Sequence, residues 1–176
     1  MRKNKKILSR YKKDNKISVH NQDFKLDKIE KNCFNIYSLL MICSILKLEN
    51  YSIKLIKSSI SILDELPGRR QVIKTKNKGS FIIDYAHTTQ SFRDIYKEFE
   101  SYGHITTLFG CGGDRDPSKR AAIAKIVDDN SSFSIITEDN SRNENLSSII
   151  NNITPGFADN KKYIVIKSRK TAIRYL

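Results

Sequence analysis

From residue 70 onward, short apolar segments alternate with amphipathic helical segments, and a polar turn follows each apolar segment. The apolar segments are residues 81–83, 105–109, 133–137 and 163–166. Helical spacing follows them, and the last helical segment is still running at Leu176. This alternation is typical of a parallel sheet with crossover helices. It predicts an α/β fold with a mainly parallel sheet, whose strand ends form one edge where ligands bind.

The part before residue 70 has a different pattern. Residues 33–66 are predicted to be helical, with two apolar faces formed by Ile36, Leu39, Leu40 and Cys43 and by Ile53, Ile56, Ile60 and Leu63. Residues 16–19 and 24–26 are candidate edge strands. Pro67-Gly68 ends the helical stretch, so we predict two domains, residues 1–67 and 68–176.

The chain carries a formal net charge of +13, which first suggests a polyanionic partner. However, residues 1–31 alone hold eleven Lys or Arg against four Asp or Glu, and Lys is abundant throughout. The charge therefore indicates a Lys-rich composition, with nucleic-acid binding as the alternative. Three unpaired cysteines argue against a disulfide framework or a zinc knuckle and favour a reducing cytoplasm. No apolar run is long enough to span a membrane.

Three polar turns follow the predicted strands. The first contains Asp84 and His87, and Asp84 could bond a ribose hydroxyl. The second, Gly-rich turn could bring backbone amides close to an anion, or could be a tight structural turn. The third contains Asp139, Asn140 and Arg142, which could hold a zwitterion or could cap a helix. No nucleophile with a base, metal-ligand cluster or GxxxxGK[ST] loop is visible, so we assign no catalytic or metal residue.

The order of five motifs is more specific than any one of them. GRRQV, DYAHT, FGCGGDRDPSKR, TEDNSRNE and SRKTAI follow one another in this sequence. Together they closely resemble the MurE-type Mur ligases, the UDP-N-acetylmuramyl-tripeptide synthetases. The resemblance runs from Phe34 to the end. It implies a Rossmann-like C-terminal Mur ligase domain, preceded by the helical end of the central, ATP-binding domain.

The resemblance also implies an activity. MurE-type enzymes use ATP and Mg²⁺ to join an amino acid to UDP-N-acetylmuramoyl-L-alanyl-D-glutamate in peptidoglycan synthesis. The amino acid is meso-diaminopimelate where the fourth motif, TEDNSRNE in this chain, keeps its arginine, which is Arg142 here. By matching motifs, the ATP-binding residues are Arg69, Asp84 and Asn35, and the amino-acid-binding residues are Arg115, Asn140, Arg142 and Asp139.

Some family features differ or lie outside the resemblance. Ser141 replaces the Pro of the fourth motif, and Thr89 replaces the Pro after DYAHT. The family's UDP-sugar domain, phosphate-binding loop and metal site all precede the matching region. We therefore expect this chain alone to be inactive and to work in the cytoplasm with a separate N-terminal Mur ligase chain. A noncatalytic binding module, a decayed remnant and a basic nucleic-acid-binding protein are the alternatives.

Overall fold

The computed structural model describes residues 9–12, 16–19, 22–25, 36–61, 67–76 and 79–176. The chain divides into two compact units, Met1–Tyr85 and Ala86–Leu176. The boundary between them differs from the sequence-based domain boundary after residue 67, because the hairpin that follows Pro67-Gly68 groups with the first unit. The predicted boundary stays a prediction, and each unit is described by itself.

The first unit begins with a small antiparallel sheet of strands β1 (Ser9–Lys12), β2 (Lys16–Val19) and β3 (Gln22–Lys25), in that order. The predicted strand at residues 16–19 is confirmed, and the one predicted at 24–26 is found slightly earlier. Helices α1 (Ile36–Leu48) and α2 (Ile53–Ser61) follow. None of the helices in the described ranges is long and apolar enough to cross a bilayer.

A small apolar core joins the two helices of the first unit. Leu39, Leu40 and Cys43 of α1 are buried together with Ile56 of α2. These are members of the two predicted apolar faces, and Ile60 packs against them. Leu63 and the side chain of Ile36 lie outside the described residues. Helical periodicity therefore identified the buried faces of both helices.

Strands β4 (Gln71–Lys74) and β5 (Ser80–Ile83) form an antiparallel hairpin. We predicted residues 81–83 as the first strand of the parallel sheet, and this detail is wrong. Only residues 75–79 separate the two strands, and such a short connection permits antiparallel pairing alone, because a parallel pair needs a long crossover. The strand was located correctly, but its partner was not.

The second unit is an α/β domain with a parallel sheet. Strands β6 (Thr106–Phe109), β7 (Phe133–Ile136) and β8 (Tyr163–Val165) lie in that order and are all parallel. Helix α3 (Thr89–Phe99) precedes β6, and helices α4 (Ser118–Asn130), α5 (Leu146–Ile153) and α6 (Arg169–Tyr175) follow the three strands. This architecture confirms the predicted α/β fold.

One apolar core holds the second unit together. Its buried members come from α3, β6, α4, β7 and α5, and include Tyr96, Phe109, Ile123, Val127, Ile136 and Ile153. The partly buried Tyr163 of β8 packs against them. Phe109 at the end of β6 also contacts the rings of Phe92 and Phe157. Burying each large apolar side chain contributes roughly 1.5–3 kcal/mol. The ends of the strands are therefore firmly placed beneath the turns that follow them.

Candidate functional site

The turns after the parallel strands lie at the same edge of the sheet. Residues 110–117 follow β6, 137–145 follow β7 and 166–168 follow β8. Hydrogen bonds join neighbouring turns: the Thr137 N–H donates to Phe109 O at 2.9 Å, and the Glu138 N–H donates to Lys167 O at 3.1 Å. Two of the predicted site turns thus meet at one edge. Asp84 belongs to the first unit, so its place beside them stays a prediction.

Two glycines allow the first and second of these turns to touch. A Cβ on Gly110 would collide with the carbonyl oxygen of Thr137, and one on Gly113 would collide with that of Ser141. The Gly113 N–H donates to the Asn140 carbonyl oxygen at 2.8 Å. The glycines therefore serve close packing between turns. This finding favours the structural interpretation of the Gly-rich turn over binding of an anion by its backbone amides.

The start of α4 is already capped by a carboxylate of this chain. Asp116 Oδ1 accepts hydrogen bonds from the Ser118 N–H at 3.0 Å and from the Ser118 hydroxyl at 2.7 Å. These hydrogen bonds lower the pKa of Asp116. An internal anion therefore satisfies part of the positive end of this helix.

Three of the predicted amino-acid-binding residues converge on Gly112. A side chain at Gly112 would begin 3.5 Å from Nη1 of Arg142, 3.6 Å from the carbonyl oxygen of Asn140 and 3.9 Å from Cγ of Arg115. All three residues are exposed to solvent. The position that a Gly112 Cβ would take therefore lies within ordinary contact distance of side-chain atoms of two arginines and of the main chain of Asn140.

Arg142 is held in a defined conformation. Its φ is 48°, in the left-handed region, and its Nη1 donates a hydrogen bond to the carbonyl oxygen of Gly113. The Glu144 N–H donates to Ser141 O at 3.0 Å and closes the turn around Arg142. The turn is therefore tight although Ser141 stands in the place of the family's proline.

Asp139 lies exposed beside Cys111 in the neighbouring turn. Burial raises the pKa of the Cys111 thiol to about 11, with Arg120 opposing the rise and the charge of Asp139 adding to it. The thiol is therefore protonated near neutral pH and is a poor nucleophile. Cys43 and Cys111 are both free thiols, whereas Cys33 lies outside the described residues.

Sequence reasoning missed a buried ion pair beneath these turns. Arg120 of α4 is only 2% exposed, and its guanidinium binds both carboxylate oxygens of Glu144, at 2.5 and 2.6 Å. It also donates to Asn152 Oδ1 at 2.8 Å and to Gly112 O at 3.2 Å. The Arg120 guanidinium lowers the pKa of Glu144. One signal was available: Arg120 lies three and seven residues before the buried Ile123 and Val127, on the same face of the helix.

Two of the predicted ATP-binding residues, Arg69 and Asp84, flank the β4–β5 hairpin of the first unit. Asp84 Oδ2 accepts the N–H of Arg70 at 2.9 Å and so fixes a residue whose φ is 50°. The guanidinium of Arg69 lies 4.3 Å from the ring centre of Tyr85. Asn35 lies outside the described residues. Asp84 thus has a structural role in the turn, whatever ligand it binds.

The described ranges contain no group of three or more His, Cys, Asp or Glu side chains arranged to hold a metal. His87 is exposed just before Thr88, which caps α3 through a hydrogen bond from the Ser91 N–H.

The parallel sheet, with its Gly-rich first turn packed against an arginine-bearing second turn, defines an α/β domain. Residues 68–176 match the family described as Mur ligase, glutamate ligase domain. The chain belongs to the Mur ligase family.

The sequence relatives are ligases of one kind. The chain is 32% identical, over 173 residues, to the UDP-N-acetylmuramoyl-L-alanyl-D-glutamate–2,6-diaminopimelate ligase of Clostridium botulinum; the match covers 90% of this chain and 36% of that protein. It is 35% identical to the ligase of the same name from Coxiella burnetii, over 81% of this chain and 29% of that protein. The chain thus spans about a third of the length of these relatives, and the matches do not favour the nucleic-acid-binding alternative.

Solved structures support the fold. A UDP-N-acetylmuramoyl-L-alanyl-D-glutamate–2,6-diaminopimelate ligase aligns with a TM-score of 0.58 and 24% identity, covering 91% of this chain and 33% of that one. MurF from Acinetobacter baumannii aligns with a TM-score of 0.60 and 11% identity, covering 91% of this chain and 34% of that one. At these identities the likeness establishes a shared fold alone.

Proposed function

We propose that this chain supplies the amino-acid-binding surface of a Mur ligase that adds meso-diaminopimelate to UDP-N-acetylmuramoyl-L-alanyl-D-glutamate. The observation that carries the proposal is the convergence of Arg115, Asn140 and Arg142 around Gly112. These residues come from two different turns, and the packing of Gly113 against Ser141 brings the turns together.

The chemistry of the surface suits a diamino acid with two carboxylates. Arginine pairs with a carboxylate through two parallel hydrogen bonds, and side-chain atoms of two arginines lie within 4 Å of the position that a Gly112 Cβ would take. Asp139 and the oxygen of the Asn140 side chain are suitable acceptors for an ammonium group. Lysine lacks the distal carboxylate of diaminopimelate, so an arginine placed for that group favours diaminopimelate.

ATP, when bound, would supply the phosphoryl group that activates the carboxylate of the UDP-linked substrate. Within this chain we assign Arg69 to its phosphates and Asp84 to its ribose, and we count Asn35 among the ATP-binding residues. The stacking of Arg69 on Tyr85 supports the first assignment, because it restricts the long side chain before a ligand arrives.

The remaining parts of the reaction need residues beyond those of this sequence. The sequence contains no GxxxxGK[ST] loop to bind the β- and γ-phosphates. We propose that a Mur ligase portion not included in this sequence supplies that loop, the Mg²⁺ site and the UDP-sugar site. The cytoplasm, where a reducing environment keeps thiols free, is the proposed location.

The test restores the missing portion. The N-terminal part of the Clostridium botulinum relative is combined with this chain, by fusion or in trans, and tripeptide formation is measured with meso-diaminopimelate and with lysine. We expect a preference for diaminopimelate. Arg142→Ala should reduce that preference by one to two decades, because loss of a charge-assisted pair costs roughly 1.5–3 kcal/mol.

Arg93→Ala is the matched control, since it removes an exposed arginine of α3 that lies outside both turns. Its preference should equal that of the unmodified complex. Equal turnover of the two amino acids by the unmodified complex, or an unchanged preference in Arg142→Ala, would refute the assignment.

A further inference from the structure

Two residues of the amino-acid-binding turns have a backbone conformation that is unfavourable for their side chains. Asp114 and Arg142 have φ values of 52° and 48°, although neither is a glycine. Residues persist in this region only where the surrounding contacts over-determine them. The contacts that fix Asp114 and Arg142 therefore also decide where the Arg142 guanidinium lies.

Those contacts run in both directions between the two turns. The Asp114 N–H donates to Glu144 Oε2 at 3.2 Å. In return, Asp114 Oδ2 accepts from the N–H of Asn143 at 3.3 Å and from its side-chain amide at 3.1 Å. Arg142 directly precedes Asn143 and Glu144, so each of these bonds restricts its backbone.

The two turns are anchored to the core through Arg120. Both carboxylate oxygens of Glu144 bind the Arg120 guanidinium, which is itself buried in α4. The same guanidinium donates to Gly112 O, so it contacts the first turn and the second at once. Bidentate pairing with the Arg120 guanidinium fixes both the position and the orientation of the Glu144 carboxylate, whereas the single ammonium group of a lysine would not fix its orientation.

We propose that Arg120 and Glu144 are positioning residues that aim Arg142 at the distal carboxylate of the incoming amino acid, an inference that rests on the proposed function. Neither side chain is assigned a contact with the substrate. Glu144 keeps the turn that carries Arg142 against the Gly112–Asp114 segment, because its carboxylate accepts the N–H of Asp114. Arg120 in turn fixes the carboxylate of Glu144. Selectivity between diaminopimelate and lysine should therefore depend on an ion pair beneath the site.

Glu144→Gln separates this positioning role from a purely structural one. The neutral amide cannot accept two charge-assisted bonds from Arg120, so the turn that carries Arg142 loses its anchor. Diaminopimelate should then bind about tenfold more weakly, while lysine, which has no distal carboxylate, should bind nearly unchanged. A loss of stability alone would not change the ratio of the two affinities. The double variant Glu144→Gln with Arg142→Ala should lose no more preference than Arg142→Ala alone, since both changes act on the same interaction.

The experiment uses the ¹⁵N-labelled 176-residue chain and follows titrations with meso-diaminopimelate and with L-lysine by NMR. The ligand-free spectra are compared first, through the Nε–Hε signal of Arg142 and the N–H signal of Gly113. Both signals should move in Glu144→Gln. Asp129→Asn is the matched control, because it breaks the exposed Lys125–Asp129 ion pair of the same helix as Arg120 and should leave both signals in place.

Asn143→Ala provides a milder second variant, since Asn143 is exposed and its side chain makes only one of the contacts with Asp114. It should lower the ratio of the affinity for diaminopimelate to the affinity for lysine, but by less than Glu144→Gln does. An Arg142 signal or an affinity ratio that stays at the wild-type value in Glu144→Gln overturns the inference. A wild-type chain that binds both amino acids equally refutes the proposed function instead, and the ligand-free signals then still decide whether Glu144 positions Arg142.

Discussion

Replacing Gly113 by alanine tests whether close packing of two turns builds the site. A methyl group at this position would overlap the carbonyl group of Ser141 and would lie 3.0 Å from Cβ of Glu144. Gly113 is buried, and its N–H already donates to Asn140 O at 2.8 Å. The φ of Gly113 lies outside the left-handed region, so the obstacle to alanine is space alone. The two turns must therefore separate.

The cost can be worked from these contacts. Overpacking a tight position destabilises by roughly 1–3 kcal/mol. Losing the hydrogen bond between Gly113 and Asn140 adds about 1 kcal/mol. Alanine recovers about 0.4–1 kcal/mol by restricting the unfolded chain. The net loss is about 1–3 kcal/mol, which for a unit of this size lowers the Tm by roughly 4–20 °C.

Gly112→Ala is the control within the same turn. The nearest atom to its methyl group would be Nη1 of Arg142 at 3.5 Å, an ordinary contact distance. Its Tm should stay within a few degrees of the wild-type value, although its methyl group enters the space assigned to the amino acid. Thermal unfolding of the 176-residue chain followed by circular dichroism measures both variants. Equal Tm values for Gly113→Ala and Gly112→Ala would refute the packing argument.

Three further outcomes are expected. The purified chain alone should form no tripeptide from ATP, Mg²⁺, UDP-N-acetylmuramoyl-dipeptide and diaminopimelate, and measurable product would contradict this. Arg120 lowers the pKa of Glu144 below its usual 4.5, so the pair stabilises the fold at neutral pH and this contribution is lost on acidification. The free energies of unfolding of wild type and Glu144→Gln, measured in urea, should therefore differ less at pH 3 than at pH 7. Thr89→Pro should stabilise the fold by about 0.4–1 kcal/mol, because residue 89 is the first residue of α3 and the φ of −127° and ψ of 154° at Thr88 suit a following proline. A Tm lower than that of the wild type would contradict this.

Periodicity in the sequence could predict the second unit but not every pairing. Strands β6, β7 and β8 were located because apolar runs alternate with helical faces such as that of Tyr96 and Phe99. The parallel order then placed the Gly110 and Asp139 turns at one edge. The β4–β5 hairpin was missed because an apolar run of three residues does not specify its partner. The short connection between β4 and β5 determines that they pair antiparallel, but this argument can be used only when both strands have been recognised in the sequence.

The ion pair between Arg120 and Glu144 was harder to predict for another reason. The two residues are separated by 24 positions, and no local pattern couples a helix to a turn at that distance. Arg120 looks like an exposed residue near the start of α4, where basic side chains are common. Its helical spacing from Ile123 predicts an inward direction, but a buried arginine is expected only if an acidic partner is already known.

The role of the glycines decides how this edge of the sheet recognises a ligand. If the amides of the first turn bound an anion, backbone N–H groups would recognise the ligand, and substitutions of nearby side chains would have little effect on binding. Instead the Gly113 N–H is used by Asn140, and α4 begins with the carboxylate of Asp116. Under the proposed function, recognition then rests on side chains, of which Arg115 and Arg142 have atoms within 4 Å of the position that a Gly112 Cβ would take. It follows that a change of Arg142 should alter which amino acid binds while leaving the fold intact, whereas a change of Gly113 should disturb the fold first and binding only as a consequence.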